Sequence, residues 1–220
     1  MRLGLGPLDV DSVSPRDLHA LAEAAVEASF DCVWVGGTGG TLVAAALVAQ
    51  WVPVRVGAVV EVGTYHPLHL AEDIAVADLT CSGRLEVMLR PADVDADVLE
   101  EHLEVLGLAL SGAHLQWNGK HLRVPARLAD NGPVPERLAL NPRPMQPAVP
   151  VWVLGRPAPR GLPELMFSPA DVTSAELLTG AGNHAGYFVV DASTPDEVRA
   201  AGRRLAGPLR MPDFPAWVNE

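Results

Sequence analysis

The sequence predicts an α/β protein whose parallel sheet forms a shortened or incomplete (β/α)8 TIM-type barrel. Short apolar segments alternate with amphipathic ones over the first 110 residues, which is the pattern of repeated strand–helix units. Residues 54–62 are almost wholly apolar, as in parallel strands buried on both faces. The chain has 220 residues, whereas a complete eightfold barrel usually has about 250. We therefore expect one domain of six or seven strands that is incomplete or relies on a partner to close.

The first half of the chain contains the clearest elements. Ser14 can cap a helix, Pro15 suits its first position, and Asp17 completes a capping box. A glycine-rich loop at residues 36–40 separates a strand from a helix without charged residues. The elements predicted here are strands at 2–6, 30–35, 54–62 and 84–90, and helices starting at 15 and spanning 41–51, 67–79 and 93–110.

The second half gives weaker signals. Residues 117–122 predict a hairpin with an Asn-Gly turn, and residues 141–150 form a proline-rich linker. Strands are predicted at 151–154 and 187–190, and a helix at 195–205. We therefore treat residues 1–220 as one domain with three parts: well-matched βα units over 1–112, the hairpin and linker over 113–150, and a diverged, shortened part over 151–220.

Composition excludes several classes of partner. Sixteen Lys+Arg against 27 Asp+Glu leave a net charge of −11, which disfavours nucleic acids and anionic membranes. The most apolar stretch, 41–60, is interrupted by Pro53 and Arg55 and does not predict a membrane span. No spacing of His, Cys, Asp and Glu resembles a metal site. Two cysteines without a visible signal peptide predict buried free thiols and a cytoplasmic protein.

Several residues at predicted strand ends are candidates for chemistry or binding. Glu61 ends an apolar strand near the rim where barrel active sites gather, so it is a candidate catalytic carboxylate or the ion-pair partner of an arginine. Arg90 and Arg156 could bind a carboxylate or phosphate, or simply form ion pairs. Gly37 lies in the glycine-rich loop, which either cradles a phosphate or is a flexible βα connection.

The uncharged helix 41–51 indicates a protein partner. A helix that is apolar all round must be covered on every side, and a barrel covers only its inner side. We therefore expect a homodimer or heterodimer through helices 41–51 and 67–79, with a tightly packed monomer as the alternative.

Five stretches resemble the bacterial luciferase-like monooxygenase family: residues 21–35, 66–86, 100–112, 117–125 and 140–155. The most specific are HPLHLAED with SGRLE, and LNPRPMQPAVPVWVLG. The resemblance implies a barrel, often dimeric, in which reduced FMN or a deazaflavin carries the reaction at the C-terminal strand ends. It also places His66 near the pocket, as a candidate catalytic group or a structural hydrogen-bonding one, and Trp34 on the strand beside the cofactor.

The departures from the family pattern favour loss of ordinary flavin binding. Bulky Met88 and Leu89 replace glycines that leave room for the flavin, and Pro91 removes a backbone N–H. Relatives carry acidic and histidine residues after the second strand, where this chain has only the 36–40 loop. Prolines around Arg156 disfavour the cofactor-holding helix that relatives begin there.

The sequence thus favours a diverged family member without a tightly bound cofactor. Such a protein would act as an accessory subunit, as a barrel binding a small apolar metabolite, or as a cofactor-free enzyme using Glu61, His66 and Arg90. The alternative is an active FMN- or deazaflavin-dependent monooxygenase or oxidoreductase acting on a small organic substrate.

Overall fold

The computed structural model describes residues 2–125, 138–153, 166–168 and 187–209. Strands and helices alternate along most of these residues. They are β1 Arg2–Asp9, α1 Pro15–Glu27, β2 Cys32–Gly36, α2 Thr41–Trp51, β3 Arg55–Val62, α3 Pro67–Thr80, β4 Leu85–Pro91, α4 Ala96–Leu110, β5 Trp117–Asn118, β6 Arg123–Val124, β7 Val151–Val153, β8 Met166–Ser168, β9 Tyr187–Val190 and α5 Pro195–Leu209. Within these residues, no helix is long and apolar enough to cross a membrane.

Seven of the strands form one parallel sheet in the order β7-β4-β3-β2-β1-β9-β8. The sheet curves into a half-barrel, which confirms the predicted shortened α/β barrel. The end strands β7 and β8 do not pair with each other in the described part of the chain. Strand β8 was not predicted, because its three residues carry too little periodicity to be recognised.

The two faces of the sheet have different coverings. Alternate residues of β1 to β4, such as Val33, Val56 and Val87, lie in the large core shared with the helices. The intervening residues form a separate inner cluster: Cys32, Trp34, Val59, Met88, Trp152 and Val189. Leu89 belongs to the outer core with the helices. The prediction that Leu89 occupies the flavin position is therefore wrong, since neighbouring residues of a strand face opposite sides.

Side chains both near and distant in sequence satisfy the helix ends. The predicted Ser14 N-cap of α1 is confirmed, because the Asp17 N–H donates to Ser14 Oγ at 3.2 Å, while Asp17 Oδ2 accepts from the Ser14 hydroxyl at 2.7 Å and does not complete the capping box. Helices α2 and α3 lack basic residues in their last turns. Arg84 supplies this charge by donating to the carbonyl oxygens of Ala49 at 2.6 Å, Val52 at 2.8 Å and Cys81 at 3.2 Å. One guanidinium thus ties the C-terminal ends of both helices to the sheet.

A carboxylate on α4 determines the hairpin geometry. Glu101 accepts the backbone N–H groups of Lys120 at 2.6 Å, His121 at 3.0 Å and Leu122 at 2.8 Å. The turn therefore spans residues 119–122, and the prediction of an Asn-Gly turn is wrong by about two residues. Helix α4 begins at Ala96, three residues later than predicted, with Asp95 as its N-cap.

An ion-pair network occupies the N-terminal end of the inner face. Glu86 is fully buried and pairs with Arg55 and, at 3.3 Å, with Arg2. Gln146 in the linker donates to Asp78 Oδ1 at 2.7 Å and accepts from Arg55 at 3.2 Å. These contacts join the proline-rich linker to β3 and α3.

Candidate functional site

The candidate site is a cavity of about 400 Å³ at the C-terminal ends of β1 to β4, which we call the mouth. Active sites of (β/α) barrels are built at this end because the βα loops gather there. The residues that line it are Pro7, Asp9, Asp11, Gly36, Gly37, Thr38, Val59, Met88 and Arg90. The structure thus brings three of the predicted site residues to one place: Gly37, Met88 and Arg90.

The floor of the mouth is formed by closely packed apolar side chains. Met88 is 1% exposed, and Val59 pairs with it across β3 and β4. Trp34 lies one layer deeper, fully buried against Gly4 and Gly57, where a Cβ at Gly57 would collide with the indole. Trp34 does not line the mouth; it belongs to the same inner cluster as Met88 and Val59, which do line it.

Glu61 and Arg90 form an ion pair on the rim. Arg90 Nη2 lies 3.8 Å from Glu61 Oε2, and both side chains are about two-fifths exposed. Thr64 Oγ1 donates to the other carboxylate oxygen of Glu61 at 2.6 Å. The pairing of Glu61 with an arginine, one of the two predicted alternatives, is confirmed.

The opposite rim carries two carboxylates. Asp11 Oδ2 accepts the backbone N–H of Thr38 at 2.7 Å, and Asp9 accepts from the N–H of Asp11 at 3.1 Å. Gly37 adopts φ +153° and approaches Asp11 so closely that a Cβ would lie 3.1 Å from Oδ2. An acidic side chain of the protein itself therefore binds the glycine-rich loop, at an N–H that a phosphate would otherwise use.

The remaining predicted site residues lie elsewhere. His66 is the N-cap of α3, where its Nδ1 accepts the N–H of Leu68 at 3.3 Å. Desolvation, together with the nearby His69, lowers the pKa of His66. It lines neither the mouth nor the adjoining groove described below. Arg156 falls outside the described residues.

His102 on α4 is a buried histidine with only 6% of its surface exposed. Its Nδ1 has no hydrogen-bond partner among the described residues. Desolvation lowers the pKa of His102, and the neighbouring His66 lowers it further, against the opposing effect of Glu101. Two neighbouring histidines thus both have lowered pKa values.

A second cavity of about 720 Å³ runs between α2 and α3, and we call it the groove. It shares Gly37, Thr38, Val59 and Arg90 with the mouth, so the two spaces are continuous over the ends of β2 and β3. Its other lining includes Thr41 and Tyr65, which the sequence analysis did not identify as site residues. The sequence offered one sign of this groove: the glycine-rich loop at residues 36–40, which leaves space beside the start of α2.

A parallel half-barrel with a cavity at its C-terminal strand ends defines the class of (β/α)-barrel proteins. The family model described as luciferase-like monooxygenase matches residues 4–208, and the chain belongs to that family. No curated protein matches the sequence.

Solved structures of three proteins show the same fold. The monooxygenase RslO1 from Streptomyces bottropensis is 20% identical, with a TM-score of 0.59 over 92% of this chain and 67% of its own. EDTA monooxygenase (EmoA) from Chelativorans sp. BNC1 is 16% identical, with a TM-score of 0.56 over 89% of this chain and 60% of its own. The coenzyme F420-dependent tetrahydromethanopterin reductase from Methanopyrus kandleri is 18% identical, with a TM-score of 0.53 over 86% of this chain and 55% of its own. The chain thus spans between 55% and 67% of the length of these three proteins.

Proposed function

We propose that this family member binds a small, neutral organic molecule at the mouth and does not bind flavin in the ordinary way. The observation that carries this proposal is the charge of the rim. Of the described residues that line the mouth or pair with its lining, Asp9, Asp11 and Glu61 are acidic, and Arg90 alone is basic. Arg90 is already paired with Glu61.

The described part of the mouth does not fit a phosphorylated cofactor. A phosphate needs converging N–H groups or an unshared guanidinium. Here the Thr38 N–H is bound to Asp11 and the Arg90 guanidinium lies 3.8 Å from Glu61. A phosphate dianion would also face two further carboxylates, which raises the free energy of its binding.

The same residues are compatible with a neutral ligand. Met88, Val59 and Pro7 provide apolar contact, and the rim provides hydrogen-bonding groups. In a cofactor-free reaction, Glu61 would accept a proton and Arg90 would stabilise developing negative charge beside it. Without such a reaction, the protein acts as an accessory subunit or a small-molecule-binding barrel of the family.

The second candidate is a flavin- or F420-dependent oxidoreductase. It is favoured by the relatives, since one similar structure is described as F420-dependent and the oxygenating component of 3,6-diketocamphane monooxygenase from Pseudomonas putida as a complex with FMN. In that case phosphate donors would have to come from elsewhere in the chain, with Arg156 as the candidate, or from a partner subunit.

Titration of the purified chain with reduced FMN and with F420, followed by absorption and fluorescence, separates the two candidates. We expect dissociation constants in the millimolar range or weaker. The Asp11→Asn variant removes one rim charge and should tighten FMN binding, while Asp93→Asn, an exposed acidic residue that lines neither cavity, should not. Micromolar binding by the unmodified chain, with substrate-dependent oxygen uptake, would establish the second candidate instead.

We also propose that a second chain packs against α2 and α3. Large apolar residues on this face are exposed, including Val43 at 65%, Leu47 at 46% and Val76 at 50%. Light scattering after size exclusion should give about twice the 23.3 kDa chain mass. Leu47→Glu should shift the particle to the single-chain mass, while Leu108→Glu, at a similarly exposed leucine on α4, should not. A single-chain mass for the unmodified protein would contradict a homodimer.

A further inference from the structure

Helix α3 begins with a histidine that accepts the hydrogen bonds of its first turn. Pro67 has no N–H, so the first backbone donors of the helix are those that follow it. His66 Nδ1 accepts the N–H of Leu68 at 3.3 Å. The His66 carbonyl oxygen accepts the N–H groups of His69 at 3.0 Å and Leu70 at 3.4 Å. One residue therefore satisfies the first three donors of the helix.

This cap holds only while the His66 ring is neutral. A ring nitrogen accepts a hydrogen bond only when it carries no proton, so His66 must hold its proton on Nε2. Protonation of Nδ1 would turn the acceptor into a donor that faces the Leu68 N–H. It would also place a positive charge at the positive end of the α3 dipole. The side-chain caps of α1 and α5, Ser14 and Thr194, are hydroxyls that do not titrate near pH 6.

A second histidine lies next to the first, on the neighbouring helix. His102 on α4 is 6% exposed, and its Nδ1 has no hydrogen-bond partner among the described residues. The two rings are close enough for a charge on His66 to act on His102. A proton on His102 Nδ1 would be a buried donor without an acceptor. Protonation of either ring therefore favours a state in which the start of α3 moves away from α4 and the rings reach water.

The neighbouring charges offset such a proton only in part. On α3, the His69 ring lies 6.0 Å from that of His66, and its charged form opposes a proton there. Glu72 pairs with His69 at 3.5 Å. On α4, Glu101 favours the charged form of His102, but its oxygens already accept three N–H groups of the hairpin. Desolvation is the largest effect on both rings and lowers the pKa of each.

The start of α3 is connected to the rim of the mouth. Thr64, two residues before His66, donates its hydroxyl to Glu61 at 2.6 Å. Glu61 pairs with Arg90 at 3.8 Å, and Arg90 lines the mouth. Release of the first turn of α3 would therefore free the short segment that positions the hydroxyl against Glu61.

We propose that His66 and His102 form an acid-sensitive latch at the start of α3, which holds the first helical turn while both rings are neutral and releases it when either is protonated. Release also loosens the contact between Thr64 and Glu61, so the rim of the mouth responds to pH through this corner. The latch depends only on contacts within the chain, and it stands whether or not the mouth binds a small molecule.

The test measures hydrogen exchange of single amides by NMR on the isotope-labelled full-length chain between about pH 7.5 and 5. After correction for the intrinsic exchange rate, protection at residues 68–70 should fall several-fold with acid, and by at most about thirtyfold for each histidine. The amides of Asp17 and Leu18, which donate to the Ser14 hydroxyl and carbonyl oxygens, are the control within the same sample. Their protection should stay unchanged.

The nitrogen resonances of the His66 ring provide a second readout, because they report which nitrogen carries the proton. We expect the Nε2–H form at neutral pH, and amide shifts at residues 61–65 that change with the same midpoint as this ring. His66→Asn supplies a cap that does not titrate, so the acid-induced loss of protection at residues 68–70 should become about threefold smaller or less still. His114→Asn makes the same change at an exposed histidine and should leave that loss intact.

Three results would overturn the latch: protection at residues 68–70 that does not change with pH, an equal loss at residues 17 and 18, or a His66 ring that carries its proton on Nδ1 at neutral pH. The unmodified chain supplies all three, so the test does not depend on the folding of a variant. An undiminished pH dependence in His66→Asn would also contradict the latch. FMN titration decides the proposed function separately, and its outcome does not alter these results.

Discussion

Replacement of Met88 by alanine tests whether the floor of the mouth excludes a flavin ring. Met88 is 1% exposed and points into the inner cluster, whereas Leu89 is also 1% exposed but points into the outer core. The two residues are neighbours on β4 with equal burial, so Leu89→Ala is a matched control. Alanine is preferable to glycine because glycine would add a backbone penalty in the strand.

The expected magnitudes follow from burial. Truncation of a buried Met or Leu to alanine costs about 2–5 kcal/mol, so both variants should lose similar amounts of unfolding free energy. Only Met88→Ala opens space beneath the mouth. Burial of a methionine side chain contributes roughly 3 kcal/mol to the free energy of folding. If a flavin ring that enters the vacated space gains about half of that free energy, its affinity rises about tenfold.

Riboflavin is the appropriate probe because it has the flavin ring without the phosphate that the rim carboxylates oppose. Quenching of its fluorescence gives the dissociation constant, and denaturant unfolding gives the stability of each variant. We expect Met88→Ala to bind riboflavin about tenfold more tightly than the unmodified chain and Leu89→Ala to bind it unchanged. Equal effects of the two substitutions, or micromolar riboflavin binding by the unmodified chain, would refute steric exclusion by the floor.

Three further predictions concern the framework around the site. Arg84→Met should lower the free energy of unfolding by about 3 kcal/mol, because it leaves the carbonyl oxygens at the ends of two helices without their charged donor. Stability should decrease as pH falls below about 6.5, because the pKa values of His66 and His102 are lowered in the folded chain and the unfolded chain takes up protons first. Glu101→Gln should speed hydrogen exchange at residues 120–122, since a neutral amide holds the hairpin N–H groups more weakly.

Each of these predictions has a control at an exposed position. Arg16→Met should leave the unfolding midpoint nearly unchanged, His114→Gln should leave the pH dependence intact, and Glu100→Gln should not affect the hairpin. A loss at Arg16 as large as that at Arg84 would argue against the guanidinium contacts. A free energy of unfolding that does not change between pH 7 and 5 would show that His66 and His102 have the same pKa values in the folded and unfolded chains. Unchanged exchange at residues 120–122 would show that Glu101 does not hold the turn.

Local patterns were enough to predict the framework of the first half. The N-cap at Ser14, the apolar strand β3 and the amphipathic α4 are governed by neighbours within a few residues, so the sequence predicts them closely. The Glu61–Arg90 pair was also foreseeable, because both residues end adjacent parallel strands. The hairpin turn was not, because Glu101, which is about twenty residues away, determines which N–H groups form the tip.

The amino-acid order by itself determined that the chain forms strand–helix units and that α2 carries no charge, since periodicity and composition are local properties. The tertiary structure decided which side chains of those units face the mouth. Met88 faces the mouth and Leu89 does not, because neighbouring residues of a strand face opposite sides and the way the sheet curves decides which side becomes the inner one. Asp11 reaches the Thr38 N–H across 27 positions. These outcomes depend on how β1 to β4 come together, which no short stretch of residues encodes.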